Sequence, residues 1–197
     1  SKEFRYDING LRAWAVIAVV LFHFQIPFFQ GGFVGVDIFF VISGFLMTKI
    51  ILTGLQNQEK PFQLFNFYLA RAIRIIPALA VLCIVLLVLA WLILPAVEYD
   101  DLGKHVFGAI TFVSNGIFYL ENGYFDAASH DKWLLHTWSL SVEWQFYILL
   151  PVALMLIWKL SKSIKVITIS IIIATLISFA LSIYLANTNA SAGFYLL

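Results

Sequence analysis

Charge is what this sequence has least of. Only 12% of its 197 residues are charged and 62% are hydrophobic, whereas a soluble domain carries roughly 25% charged residues. The few charges nearly cancel, at a net +1. No clustered basic surface of the kind that phosphate backbones require is present, so nucleic acid is excluded as a partner. A single cysteine, Cys83, rules out a disulfide framework and a cysteine-based metal centre. Set in a Leu/Val/Ile run, it reads as a small packing residue. Ser43 lies in VISGF, which is no Gly-x-Ser-x-Gly nucleophile elbow, and neither a phosphate-cradling glycine loop nor a His-Glu-x-x-His zinc motif occurs. His105 and His130 fall in expected loops without metal-ligand spacing. No metal and no permanently bound cofactor is expected. There is no internal repeat and no low-complexity tract, so a single membrane domain over residues 1–197 is the simplest organisation.

What is present is a series of apolar runs. A bilayer core of roughly 30 Å needs about 20 helical residues, and the chain offers runs at residues 11–29, 33–52, 75–95, 134–158 and 164–186. The first ends at Pro27 and the Gly31-Gly32 turn. It is followed at once by another run and lacks a small-residue cleavage pattern, so it is no cleaved signal peptide. Phe62, Phe65, Phe67 and Tyr68 suit a separate helix lying at the interface. Residues 106–120, interrupted by Gly108, Ser114, Asn115 and Gly116, suit a re-entrant or interfacial piece. The expectation is an all-α, polytopic bundle of about five spans plus that one partial insertion.

Positive residues arbitrate the topology. Lys2, Arg5 and Arg12 precede the first span, and Lys49, Lys60, Arg71 and Arg74 lie between the second and third. The positive-inside rule puts both sets, and hence the N-terminus, in the cytoplasm. The acidic stretch at residues 98–101 is then outside, and Lys159, Lys162 and Lys165 return to the cytoplasm.

Polar groups inside such runs are costly, roughly 2.5 to 3.5 kcal/mol for a charge at mid-membrane, and each asks for a partner or a role. Arg12 and His23 are separated by ten residues. Eleven helical positions make about 1100°, so the two face the same way roughly 16 Å apart. Arg12 can snorkel to the cytoplasmic edge; His23, deeper, is read as neutral imidazole, the form that serves as a general base, or as a histidine bonded to a neighbouring helix. Asp37 shares a helix face with Gly44 and Thr48, which reads either as close helix packing or as a site. Arg71 and Arg74, at i and i+3, anchor to anionic lipid or clamp a phosphorylated ligand. His136, Ser139 and Glu143 share one face, either as a polar seam or lining one cavity.

Four blocks carry a resemblance: INGLRAWAVIAVVLFH, GGFVGVDIFFVISGFLMT, FYLARAIRIIPAL and LLHTWSLSVEWQFYILLP. In content, order and spacing the chain resembles the acyltransferase 3 family of integral-membrane O-acyltransferases, in particular its bacterial surface-polysaccharide branch. The resemblance implies transfer of an acyl group, usually acetyl, from a cytoplasmic acyl-CoA donor to a sugar hydroxyl of a lipid-linked or surface polysaccharide such as a lipopolysaccharide O-antigen, in the bacterial inner membrane. It implies that Arg12 and His23 are the family's spaced Arg and His, that Arg71 and Arg74 are its paired arginines, and that Glu143 and His136 belong to its SLSVE block. His23, Arg12 and Glu143 are thus the expected catalytic residues, and Arg71, Arg74, Asp37, His136 and Ser139 the expected substrate contacts, with Glu143 or Asp37 orienting the His23 ring. Asn9 stands where many members have Asp, and Trp144 where many have a second Glu, so neither carboxylate is essential here. Members resemble a bundle of about ten spans, of which this chain is expected to supply the N-terminal half. Rival readings of the same charges are a transporter or polysaccharide-export component without acyl chemistry, and an inactive remnant.

Overall fold

The computed structural model describes residues 5–121 and 132–196; His130 lies outside them. The described residues are helical throughout and divide into two compact units, residues 1–60 and 61–197.

The first unit is a hairpin of α1 (Tyr6–His23) and α2 (Gly35–Gln56), the latter entered through a short 3-10 turn at Gly32–Val34. Two glycines set its closeness. A Cβ on Gly35 would stand 2.5 Å from the Ala15 carbonyl oxygen, and one on Gly32 would collide with the carbonyl of Ala18. Only residues without side chains let the helix backbones approach so far. Ala15 is buried in the contact, and Phe22 meets Phe33 edge-on at 5.7 Å. The buried positions of α2 are Gly35, Ile42, Met47 and Ile51. The packing face is therefore not the Asp37, Gly44, Thr48 stripe expected from spacing, because the turn before α2 rotates Gly35 inward. Between the helices the backbone is irregular, with left-handed φ at Gln25 (54°) and Phe28 (73°), which non-glycine residues seldom adopt.

The second unit starts with α3 (Leu64–Ile93), a 30-residue helix about 45 Å long. The aromatic stretch expected as a separate interfacial helix is its first two turns, continuous with the span, since nothing between residues 68 and 75 breaks helical geometry. Pro95 ends the connection and α4 (Ala96–Ile110) begins at once. The acidic residues at 98–101 are thus helical. Glu98 falls in the first turn of α4, where the helix dipole favours negative charge, and Lys104 Nζ lies 2.9 Å from both Asp100 and Asp101. These two carboxylates, Asp100 foremost, raise the Lys104 pKa. A turn with left-handed φ at Phe112 (56°) leads into α5 (Ser114–Glu121). At 15 and 8 residues, α4 and α5 are about 22 and 12 Å long, too short to cross.

Next come α6 (Thr137–Ser161), α7 (Ile164–Thr188) and the short α8 (Ala190–Leu196). The core joins Leu79, Cys83 and Ala90 of α3 to Leu102, Val106 and Ala109 of α4, with Phe112 and Leu134, and Leu140 and Trp144 of α6 against it.

Four helical segments among the described residues are long and apolar enough to span a membrane: Gly32–Gln56, Leu64–Ile93, Thr137–Ser161 and Ile164–Thr188. The chain is that of a multi-pass membrane protein. α1, expected as the first of about five spans, is not among these four; its 18 residues include Asp7, Asn9, Arg12 and His23.

Candidate functional site

In the first unit, α1 carries Arg12 and His23 on one side. Arg12 is partly buried, with its guanidinium 5.9 Å from the centre of the Phe39 ring on α2, within cation–π range. His23 is the last residue of α1, and its Nδ1 lies 2.7 Å from the carbonyl oxygen of Val19. A carbonyl only accepts, so Nδ1 carries the hydrogen and donates it. In the neutral ring Nε2 is then the basic, nucleophilic nitrogen. At Nδ1 the ring is held by this carbonyl one turn back. Asp37 itself is exposed in the first turn of α2, a position where the helix dipole favours a carboxylate. At the entry to α1, Arg5 forms a two-pronged pair with Asp7, at 2.9 and 2.6 Å. Those hydrogen bonds hold the Asp7 carboxyl far below its ordinary range.

In the second unit, Arg71 and Arg74 lie one turn apart near the start of α3. Arg71 is partly buried, 5.8 Å from the centre of the Phe67 ring, and Arg74 is exposed. Three residues before Arg71, Tyr68 donates from its hydroxyl to the carbonyl of Ile148 in α6, at 2.9 Å. Pro151 lies inside α6; lacking an N–H and crowding the preceding turn, it loosens the carbonyls before it. Tyr68 supplies a donor at that loosened turn. One residue earlier, Tyr147 donates to Glu143 Oε1 at 2.5 Å. The α3 turn bearing Tyr68 and Arg71 is thereby set against the α6 turn bearing Tyr147 and Glu143.

His136, Ser139 and Glu143 follow one another at the spacing expected. Ser139 donates to the backbone carbonyl of His136 at 3.1 Å, and seven positions keep His136 about 10 Å from Glu143 along the axis. The other face of α6 holds the denser polar array. Thr137, Ser141 and Gln145 follow one another at four-residue intervals, Ser141 being about 200° around the helix from Glu143. Ser141 Oγ lies 2.6 Å from Ser114 Oγ, to which Thr137 also donates at 3.1 Å. Gln145 Nε2 donates to the Phe112 carbonyl (2.9 Å) and to Asn115 Oδ1 (3.0 Å), while Asn115 donates to the carbonyl of Tyr195 in α8 (3.2 Å). This network fastens α5 and α8 to α6. Trp144 stacks on Phe112, with ring centres 4.4 Å apart, so the residue replacing the family's second Glu is a packing group.

His105, expected in a loop, is a buried residue of α4. Its Nε2 is 3.0 Å from both carboxylate oxygens of Glu121, and Lys132 Nζ is 2.7 Å from Oε2. Burial pushes Glu121 up, but hydrogen bonds from Lys132 and His105 outweigh it, and the net shift is downward. Among the described residues no group of three His, Cys, Asp or Glu is placed to hold a metal ion.

The sequence reading missed Tyr68, Tyr147 and the Val19 carbonyl. Tyr147 is four positions from Glu143 and Val19 four from His23, a spacing that signals contact on a helix. Tyr68 was legible only as an interfacial aromatic.

The sequence profile of the acyltransferase domain matches residues 5–197. The chain belongs to the acyltransferase 3 family. Among the relatives of this chain, the peptidoglycan O-acetyltransferase OatA of Listeria monocytogenes is 35% identical over 99% of this chain and 32% of its own length. An uncharacterized protein of Haemophilus influenzae is 41% identical over 81% of this chain and 62% of its own length. The O-acetyltransferase OatA of Staphylococcus aureus is 34% identical over 93% of this chain and 30% of its own length. The chain thus spans about a third of the length of the two OatA proteins. No solved structure matches it.

Proposed function

We propose that the protein transfers an acetyl group from cytoplasmic acyl-CoA to a hydroxyl of a bacterial cell-wall polysaccharide across the inner membrane, with its N-terminus in the cytoplasm. The observation that carries this reading is the His23 ring, held by Val19 so that Nε2 is its basic nitrogen. In one form of the step, Nε2 takes the proton of the attacking hydroxyl. The oxygen bonds to the thioester carbonyl carbon, the carbon–sulfur bond breaks, and the proton passes to the departing thiolate. In the other, Nε2 attacks the thioester carbonyl carbon, the carbon–sulfur bond breaks and the thiolate leaves; the sugar oxygen then bonds to the acetyl carbon, the carbon–nitrogen bond breaks, and the hydroxyl proton is left on Nε2.

Arg71 and Arg74 serve the nucleotide phosphates of the donor, a task suited to the planar guanidinium fork. Arg12 guides the thioester arm. Glu143 accepts a hydrogen bond from a substrate group, with His136, Ser139 and Asp37 as further polar contacts for donor or acceptor. The name of the Listeria monocytogenes relative favours peptidoglycan over a lipopolysaccharide O-antigen as acceptor.

The test is His23→Ala in the full-length protein, measuring base-releasable acetate on purified cell wall with membrane expression confirmed. Acetylation should be lost; undiminished acetylation overturns the assignment. Loss of polysaccharide movement without any dependence on acyl-CoA would instead favour a transporter.

A further inference from the structure

We infer that Tyr147 is a positioning residue for Glu143. This rests on the role proposed above for Glu143 and extends it to a residue that does not touch substrate. Glutamate has three rotatable side-chain bonds, and a carboxylate that must meet a substrate group in one direction has to be held there. Tyr147 provides the hold. Its side chain is buried, with 6% of its surface exposed, and its hydroxyl donates to Glu143 Oε1 at 2.5 Å. That distance is at the short end for a hydroxyl donating to a carboxylate. Fixing one carboxylate oxygen fixes the direction of the other.

The base beneath the tyrosine is itself secured. Pro151, buried in α6, cannot donate to the Tyr147 carbonyl four residues earlier, which would leave this turn free to flex. Tyr68 counters the flexing by bonding the adjacent carbonyl of Ile148 from α3 at 2.9 Å. The phenol therefore projects from a turn tied to two helices. A tyrosine with only a packing role would have no need of the bond to Glu143.

The experiment measures acetyl transfer from acetyl-CoA to purified cell-wall sacculi by the full-length protein in membranes. The variants are Tyr147→Phe, Glu143→Gln, the double variant and Tyr68→Phe. Tyr147→Phe keeps the ring and removes only the donor. It should lower kcat about 10- to 100-fold, the effect of one hydrogen bond lost to a carboxylate, while KM for acetyl-CoA changes less than about twofold, as for an interaction made chiefly in the transition state. In the Glu143→Gln background the same substitution should cause no further loss, since residues acting as a unit are not additive. Full activity of Tyr147→Phe, or an equal fold-loss in both backgrounds, overturns the inference. Tyr68→Phe leaves the phenol of Tyr147 in place and should show a smaller loss in the same direction; a loss exceeding that of Tyr147→Phe would assign the effect to the turn rather than to the phenol and overturn the inference. A fully active Glu143→Gln would sink the role of Glu143 itself, an outcome distinct from an inactive Glu143→Gln beside an active Tyr147→Phe.

Discussion

His23 Nδ1 donates to the carbonyl oxygen of Val19, one turn earlier in the same helix, at 2.7 Å. The backbone thereby fixes the tautomer of the neutral ring, with Nε2 as its basic nitrogen. Asparagine at position 23 would place its amide near Nδ1 and could keep this bond, but would supply nothing at Nε2. His23→Asn is therefore expected to retain the wild-type melting temperature in detergent while losing cell-wall acetylation by about 100-fold or more, the scale of a lost general base. Activity near wild type would show that Nε2 is not the reacting atom.

Gly35 and Gly10 are predicted to respond oppositely to alanine. At Gly35 the new methyl would lie 2.5 Å from the Ala15 carbonyl oxygen and 2.7 Å from a Val19 methyl, whereas at Gly10 it meets nothing within 4 Å. Overpacking against backbone costs about 1–3 kcal/mol, so Gly35→Ala should melt several degrees lower than the parent. Gly10→Ala, inside α1, should be neutral or mildly stabilising through the better helix propensity of alanine. Thermal unfolding in detergent micelles compares the two.

Gln145 is the polar residue of the second unit on which the α4–α5 turn depends. Gln145→Leu strips donors from the Phe112 carbonyl and from Asn115. Each buried acceptor left unsatisfied costs about 1–3 kcal/mol. Hydrogen exchange should accelerate across α5 and α8, which the network fastens, and remain unchanged in α1. Unchanged protection of α5 would show that apolar packing alone holds it.

The Glu121 clasp should give stability a dependence on acid. Its carboxyl pKa lies below the ordinary value because Lys132 and His105 outweigh the effect of burial. A depressed carboxyl stabilises the fold above its unfolded pKa, near 4.3, and that contribution is lost as pH falls through the folded value. Between pH 7 and about 5 the parent should lose none of this contribution; below about pH 4.3 the melting temperature should drop. Glu121→Gln should already be lower at pH 7 and flatter through the acid range, as measured by melting against pH. A variant with the parent's acid slope would assign that slope to other carboxylates.

Much of the architecture was legible because hydrophobic length and helical period are properties of a single stretch of chain. Residues 164–186 as a span, and residues 106–120 as too short and too interrupted to cross, needed no knowledge of neighbours. The glycine-rich entry to α2, the Arg12 and His23 pair and the four family blocks were equally local. Where the reading went astray, the deciding interaction came from a distant part of the chain or from the exact course of a turn. His105 looked like a loop residue until Glu121, 16 positions on, closed on it. The α6 face chosen by sequence was the one with recognisable chemistry, whereas the opposite face, Thr137, Ser141 and Gln145, is the one bonded to α5.

By itself, then, the sequence determined that this is an all-helical membrane protein, which family it belongs to, and which histidine and arginines to examine. The first follows from composition and hydrophobic run length, the second from the resemblance of four sequence blocks, and the third from both that resemblance and spacings within one helix. Only the tertiary structure decided what holds the polar groups in place. Tyr68 meets Ile148 and Asn115 meets Tyr195 each across 80 positions, and a buried polar atom takes whichever partner the packed helices bring within hydrogen-bond reach.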